Sequence, residues 1–279
     1  MVRFMPRVLT DQVIIITGAS SGIGAATAIQ CAKAGMDTVL NARRADRLEQ
    51  VAAQIRELGR EAKVVPGSVT DEGMTEQMLN AAQDAFGRFD VVFANAGYGF
   101  ERSVAQMGDE ELRQIFDVNF FASFDLLRHA AKRLITDQRS GHLLMCSSCL
   151  AKFTLPFFSA YSATKAAQNH LCRAMRLELA RYNIEVSSVH PITTTTEFFE
   201  VSNQLSGKAD KTSNVPDHAS KMFVQPPERV ARAIVRCLRK PRPEVWTSHI
   251  VRSVAGVMTA FPRFFDLVVR KQAKGRQDV

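Results

Sequence analysis

No apolar run in the 279 residues reaches the length of about 20 that a membrane-spanning helix requires, so a membrane-spanning protein is not expected. Residues 1–13 hold no uninterrupted apolar stretch long enough for a signal peptide, and secretion is not expected. Cysteine is scarce and odd in number. Cys31, Cys146, Cys149, Cys172 and Cys237 sit in periodic segments, which excludes a closed disulfide framework and points to reduced core thiols in a cytoplasmic setting. His129, His142, His170, His190, His218 and His249 show no metal-ligand spacing with cysteines or carboxylates, so no metal is expected. The absence of a Gly-x-Ser-x-Gly elbow weighs against hydrolysis. Aromatic residues are not interleaved with basic ones, as single-strand binding requires, and no nucleic-acid partner is expected.

What is present is an apolar content of 46%, enough to bury the core of one large domain. The formal charge of +8 is unevenly placed: residues 1–227 hold 24 Lys/Arg and 24 Asp/Glu, whereas residues 228–279 hold 12 against 4. Short β-rich runs at 13–17, 38–40, 63–66, 90–95, 141–147, 184–190 and 244–247 alternate with amphipathic helical patterns at 24–34, 46–58, 70–86, 108–139, 159–182 and 226–239. That alternation predicts seven parallel strands with crossover helices. Apolar residues at consecutive positions, as in Val13-Ile14-Ile15-Ile16 and Val91-Val92-Phe93-Ala94, predict strands covered on both faces. The expected fold is α/β, a single-domain doubly wound parallel sheet of about seven strands with helices on both faces.

Thr17-Gly18-Ala19-Ser20-Ser21-Gly22-Ile23-Gly24 follows the first strand and opens the first helix. In that context Gly18 makes a tight turn, Gly22 lets the backbone approach a pyrophosphate, and Gly24 permits close packing, while free N–H groups attract the anion. Asn95-Ala96-Gly97 follows the fourth strand, and Tyr161-Ser162-Ala163-Thr164-Lys165 lies in a later helical pattern. In this order the segments resemble the short-chain dehydrogenase/reductase family over about residues 10–250. The resemblance implies a Rossmann-type fold and hydride exchange between a nicotinamide dinucleotide and a carbonyl or alcohol. Its cofactor-binding positions map onto Gly18, Ser20, Ser21, Gly22, Ile23, Gly24, Asn95, Ala96, Gly97, Tyr161, Lys165, Pro191, Thr194 and Thr196. A carboxylate ending the second strand would bind a ribose 2′-hydroxyl and repel a 2′-phosphate. Here that strand ends Asn41-Ala42-Arg43-Arg44, so NADP(H) is expected, with Arg43 the better phosphate ligand and Arg44 beside it; NAD(H) is the alternative. Ser68 replaces the family's usual Asp near the adenine.

Tyr161 and Lys165 are four apart in a helical pattern and share a face. A phenol with an ordinary pKa of about 10 needs a nearby ammonium to shuttle a proton at neutral pH. The resemblance adds that Lys165 holds the nicotinamide ribose. It also implies that Ser148 is the catalytic serine, with Ser147 its nearest competitor, and that Asn119 holds a water in the relay to Lys165. Cys146-Ser147-Ser148-Cys149 has Cys-x-x-Cys spacing, but its first thiol ends a strand rather than opening a helix and reads as structural. Tyr98-Gly99-Phe100, residues 149–158 and the segment after His190 are apolar, which suits a small lipophilic ketone, aldehyde or secondary alcohol. Ile192 departs from the glycine that usually follows the family's proline, while Thr196 fits the threonine that caps the substrate loop.

Residues 1–250 are expected to form the dinucleotide-binding catalytic domain, with a mobile substrate loop at 193–225, and 251–279 a basic amphipathic helical extension. The extension's stripe is Val254, Val257, Met258, Phe261, Phe264, Phe265 and Val268, bent at Pro262. Packing on a neighbouring subunit is favoured over a membrane surface for this stripe, within a homodimer or homotetramer. Two rival readings, a non-catalytic dinucleotide-binding sensor and a membrane-surface adaptor, would not require the Ser148, Tyr161 and Lys165 set.

Overall fold

The computed structural model describes residues 6–207 and 223–273, with the side chains of 264, 268 and 271–273 left aside. Expectations for residues 1–5, for 208–222 of the loop, for Phe264 and Val268, and for 274–279 lie outside the described residues.

Seven strands, β1 (Val13–Thr17), β2 (Asp37–Ala42), β3 (Ala62–Pro66), β4 (Val91–Ala94), β5 (Gly141–Cys146), β6 (Ile184–His190) and β7 (Glu244–Trp246), form one sheet in the order β3-β2-β1-β4-β5-β6-β7. Every pair is parallel. Successive residues of β1 feed opposite sides: Ile14 and Ile16 enter one core, Val13 and Ile15 the other. Helices α1 (Gly22–Lys33), α2 (Ala45–Glu57) and α8 (Pro227–Arg239) cover the first core. Helices α3 (Met74–Phe86), α5 (Ala122–Thr136) and α6 (Ser159–Leu179) cover the second. Each fully buried isoleucine of β1 contributes about 1.5–3 kcal/mol, and this explains why a run apolar at consecutive positions becomes a central strand. The strand order reverses between β1 and β4, which opens a crevice at their carboxyl ends.

The structure departs from the sequence expectation in three places that matter for the site. The helical pattern at 108–139 is not one helix: α4 (Asp109–Phe116) and α5 are joined by a π-type turn, Asp117–Phe121, with Asn119 fully buried at its centre. The loop expected at 193–225 contains helix α7 (Phe198–Leu205), which Ser206 helps to close by accepting the Glu101 N–H and donating to the Ser202 carbonyl. The third helix begins at Met74 rather than near 70, because Gly73 adopts a left-handed conformation (φ 75°) that helical backbone does not use. At the C-terminal side, α9 (His249–Ala260) and α10 (Pro262–Ala273) are separated at Phe261, where Pro262 removes a helical donor.

Candidate active site

The turn between β1 and α1 has the geometry its glycines predict. Gly18 (φ 64°) and Gly22 (φ 56°) are left-handed, and a Cβ on Gly24 would lie 2.2 Å from the Gly18 carbonyl oxygen. Asn95, just past β4, braces the turn: its Nδ2 donates to the carbonyls of Thr17 (3.0 Å) and Gly18 (3.3 Å). The Thr17 hydroxyl accepts the Asn95 and Ala96 N–H groups. Thr196 lies directly over Gly22, where a Cβ would come within 2.9 Å of its methyl. A backbone cradle with exposed N–H groups at a helix start fits a pyrophosphate.

Beside it, the Arg44 guanidinium donates to Ser20 Oγ (3.2 Å), Ser21 Oγ (3.1 Å) and the Glu197 carboxylate (2.7 Å). Arg47 lies 3.8 Å from the same carboxylate. The Arg44 hydrogen bond, followed by Ser21 and the two positive charges, holds Glu197 below the usual carboxylate range. Arg43 is exposed, lines the same cavity, and has no polar partner among the described residues. The Ser68 hydroxyl is shared with Thr70 at 2.8 Å, and its N–H donates to Asp71, so a carboxylate stands three residues beyond the position where the family has one.

The reactive set converges from three elements. Ser148 follows β5; its Oγ accepts the Leu150 N–H at 3.1 Å and lies beside the Tyr161 phenol, whose pKa it lowers. Ser147 points the other way, donating to the Lys165 carbonyl at 2.8 Å to fasten α6 to β5. Lys165 Nζ lies 5.5 Å from the Tyr161 ring centroid and donates to the Cys146 carbonyl at 2.8 Å. Burial raises the Tyr161 phenol above its ordinary value, and the Ser148 hydroxyl offsets part of that rise. Burial likewise pushes the Lys165 ammonium down to about 8.

Asn119 is fixed by Tyr98 at both backbone groups: its Oδ1 accepts the Tyr98 N–H (3.0 Å) and its Nδ2 donates to the Tyr98 carbonyl (2.9 Å). Gln168 donates to the Asn119 carbonyl, and a Cβ on Gly97 would approach both Asn119 Oδ1 and Lys165 Nζ. The Cys146 and Cys149 thiols are raised by burial, Cys149 to about 11, which makes them poor thiolates. Among the described residues no cluster of His, Cys, Asp or Glu could hold a metal ion.

Pro191, Ile192, Thr194 and Thr196 all line the cavity. Ile192 replaces a glycine without positive φ, so the turn asks for no glycine-specific conformation. The Thr194 hydroxyl is engaged by the Ile192 carbonyl (2.8 Å) and Gln225 (3.2 Å). One cavity of about 1270 Å³ runs from Gly18 and Arg43 past Tyr161 to Phe153, Leu155, Phe198 and Val254. It therefore joins the phosphate turn, Ser148, Tyr161 and Lys165 to an apolar pocket.

Three supporting residues were not legible in the sequence, Gln168, His190 and Glu197, while Tyr98 was expected as pocket lining rather than as the grip on Asn119. His190 Nδ1 donates to the Ser148 carbonyl (2.9 Å), its Nε2 accepts from Ser188 (2.9 Å), and its ring stacks on Trp246 at 4.6 Å. Burial lowers its pKa to about 4. Histidine before Pro191 was visible, but only the β6–β7 pairing shows what it touches.

Residues 12–206 match the short chain dehydrogenase family. The chain is 30% identical over 235 residues to an uncharacterized oxidoreductase of Listeria innocua, covering 84% of this chain and 92% of that protein. Among solved structures, the 3-ketoacyl-(acyl-carrier-protein) reductase of Brucella melitensis complexed with NADH has a TM-score of 0.72 at 25% identity, covering 84% of this chain and 92% of that one. The alcohol dehydrogenase of the archaeon Thermococcus sibiricus complexed with 5-hydroxy-NADP has a TM-score of 0.70 at 27% identity, with coverage of 84% and 94%.

Proposed function

The chain belongs to the short-chain dehydrogenase family of oxidoreductases, and from that premise we propose that it exchanges hydride between NADP(H) and a lipophilic ketone, aldehyde or secondary alcohol. The observation that carries this reading is the single cavity joining the glycine turn to Ser148, Tyr161 and Lys165 and then to an apolar pocket. When bound, the nicotinamide dinucleotide supplies or accepts the hydride. Gly18, Ser20, Ser21, Gly22, Ile23 and Gly24 would hold its pyrophosphate, with Asn95, Ala96, Gly97, Pro191, Thr194 and Thr196 as its further ligands.

The chain's own residues handle the proton. In the reducing direction the Tyr161 O–H gives its proton to the substrate oxygen as negative charge gathers there, and the Ser148 hydroxyl donates a hydrogen bond to the same oxygen. The Lys165 ammonium offsets the phenolate that results, and Asn119, locked by Tyr98 and Gln168, holds a water in the proton relay to Lys165. In the opposite direction the same groups take the proton back.

The relatives hold NADH in one case and 5-hydroxy-NADP in another, so they support a nicotinamide dinucleotide without choosing between the two. NADP(H) is favoured by Ala42 in place of a carboxylate and by Arg43 and Arg44 at the cavity edge. The segment 193–207 forms one wall of the substrate pocket, with Phe198 5.6 Å from the Tyr161 ring. Exposed Leu112 and Phe121 on the α4–α5 face support a homodimer or homotetramer.

NADPH consumption with steroids, retinoids, acyl ketones and aromatic aldehydes tests the reading directly. Tyr161→Phe is expected to lower turnover by about 10²–10⁴-fold with NADPH binding intact, and retained turnover would overturn the mechanism. Unchanged preference between NADPH and NADH in both Arg43→Ala and Arg44→Ala would remove the cofactor assignment.

A further inference from the structure

We propose that the outward face of α9 and α10 docks on an anionic lipid surface and sets the mouth of the active-site cavity against it. On α9, Ile250, Val254, Val257 and Phe261 are 43–65% exposed and recur at spacings of four, three and four, which gathers them on one side of the helix. The helix is already seated by another side: Ala255 is buried, and the Thr259 hydroxyl donates to the Lys152 carbonyl at 2.9 Å. Helix α10 is pinned in turn by Phe265, whose ring lies 5.9 Å from Phe153. It leaves Arg263, Asp266, Leu267 and Arg270 exposed on one side, two arginines with one carboxylate between them. The result is an apolar stripe adjoining a predominantly basic one, and among the described residues no core covers the stripe.

Charge selects the occupant. Among the described side chains, α9 and α10 expose Arg252, Arg263 and Arg270 against Asp266, within a C-terminal segment, residues 228–279, that holds 12 Lys/Arg and 4 Asp/Glu. A bilayer rich in anionic headgroups attracts such a face and accepts its apolar side chains. A second copy meeting this face across a two-fold axis would bring Arg263 and Arg270 of both copies together with Asp266 alone to offset them, and the α4–α5 face offers apolar surface for subunit contact without that repulsion. The docking is the alternative to the subunit packing expected for this stripe. Ile250 and Val254 also line the cavity, so a docked protein has its substrate pocket open toward the lipid. Docking rests on the exposed faces alone; its use for substrate access rests on the proposed lipophilic substrate. Among the described residues no helix is long and apolar enough to cross a membrane, so the contact is with the surface layer.

The full chain is sedimented with vesicles of phosphatidylcholine alone and with about 30% phosphatidylserine. Binding is expected to be at least about tenfold stronger on the anionic vesicles and to weaken as salt is raised from about 0.1 to 0.5 M. The pair Val257→Ser and Phe261→Ser, and separately Arg263→Glu with Arg270→Glu, are each expected to weaken it by about tenfold or more. Thermal stability and NADPH consumption with a water-soluble aldehyde should change by less than about twofold in these variants, because none of the four residues lines the cavity. Absence of sedimentation with anionic vesicles, or variants that bind as the parent does, would overturn the proposal. A fall in oligomer mass in the Val257 and Phe261 variant, without vesicle binding by the parent, would assign the face to a second copy instead. Vesicle binding by a protein that never consumes NADPH would leave the docking standing and count against the catalytic reading.

Discussion

Replacing Lys165 with Met should make the protein more stable at neutral pH while removing its activity. The ammonium falls from an ordinary 10.5 to about 8 because it is buried, so the folded state resists the charged form. Below pH 8 both folded and unfolded chains carry the proton and the full cost is felt. Between 8 and 10.5 the unfolded chain binds more protons than the folded one, so stability rises with pH across that window. At about 1.4 kcal/mol per tenfold change in proton affinity, the cost is about 3 kcal/mol at pH 7 and about 1 kcal/mol at pH 10. Methionine removes this term but leaves the Cys146 carbonyl without the donor it now has at 2.8 Å, a loss of about 1–2 kcal/mol. The variant should therefore be about 1–2 kcal/mol more stable at pH 7, near 2–4 °C in melting temperature, and slightly less stable than the parent at pH 10. Calorimetry of cofactor-free protein at both pH values measures the difference. A variant that melts lower at pH 7, or a gap that does not move between pH 7 and 10, would refute the claim that the ammonium is held at the expense of the fold.

Two glycines separate close approach from mere presence in a helix: Gly24→Ala would put a Cβ 2.2 Å from the Gly18 oxygen, whereas Gly256→Ala meets nothing within 4 Å. Thermal melts should show the first losing at least about 1–3 kcal/mol together with NADPH binding, and the second gaining up to about 1 kcal/mol; equal effects would contradict the geometry. Glu197→Gln frees the Arg44 guanidinium from a carboxylate at 2.7 Å and should lower the KM for NADPH more than that for NADH. Because the pair is partly exposed the effect should shrink in high salt, and a parallel shift for both cofactors would show that Arg44 does not meet a 2′-phosphate. His190→Ala strands the Ser148 carbonyl and should cut kcat by about tenfold with little change in cofactor affinity. Since burial holds His190 neutral down to about 4, its folding contribution weakens as pH falls from 6.5 toward 4, which acid unfolding of the parent and the variant will compare.

The parts of this molecule that could be read in one dimension are those whose causes are local. Consecutive apolar residues define β1, Val13–Thr17, and a short run between turn signals defines β6, Ile184–His190, and both match the expected 13–17 and 184–190 at their ends. Each is covered on both faces and bounded by residues that leave the ladder. The glycine turn was likewise visible, since left-handed φ and close approach demand glycine where they occur. Register favours Ser148 over Ser147 as the family's serine, and Ser147 is engaged elsewhere, on the Lys165 carbonyl. What stayed hidden depends on separation. Glu197 finds Arg44 across 153 positions, and Gln168 finds the Asn119 carbonyl across 49; no periodicity encodes either pair. The π-type turn at Asn119 was hidden for a related reason, because its helical pattern continues on both sides and the widening follows from Tyr98 gripping one side chain at two backbone atoms. Helix α7 was masked by a polar segment that reads as loop, yet its start is set by Glu197 on Arg44 and by Phe198 against Tyr161. The same short segment thus touches the phosphate turn through Thr196 and the reactive phenol through Phe198. Moving residues 196–198 would therefore be felt both at the glycine turn and at the wall beside Tyr161.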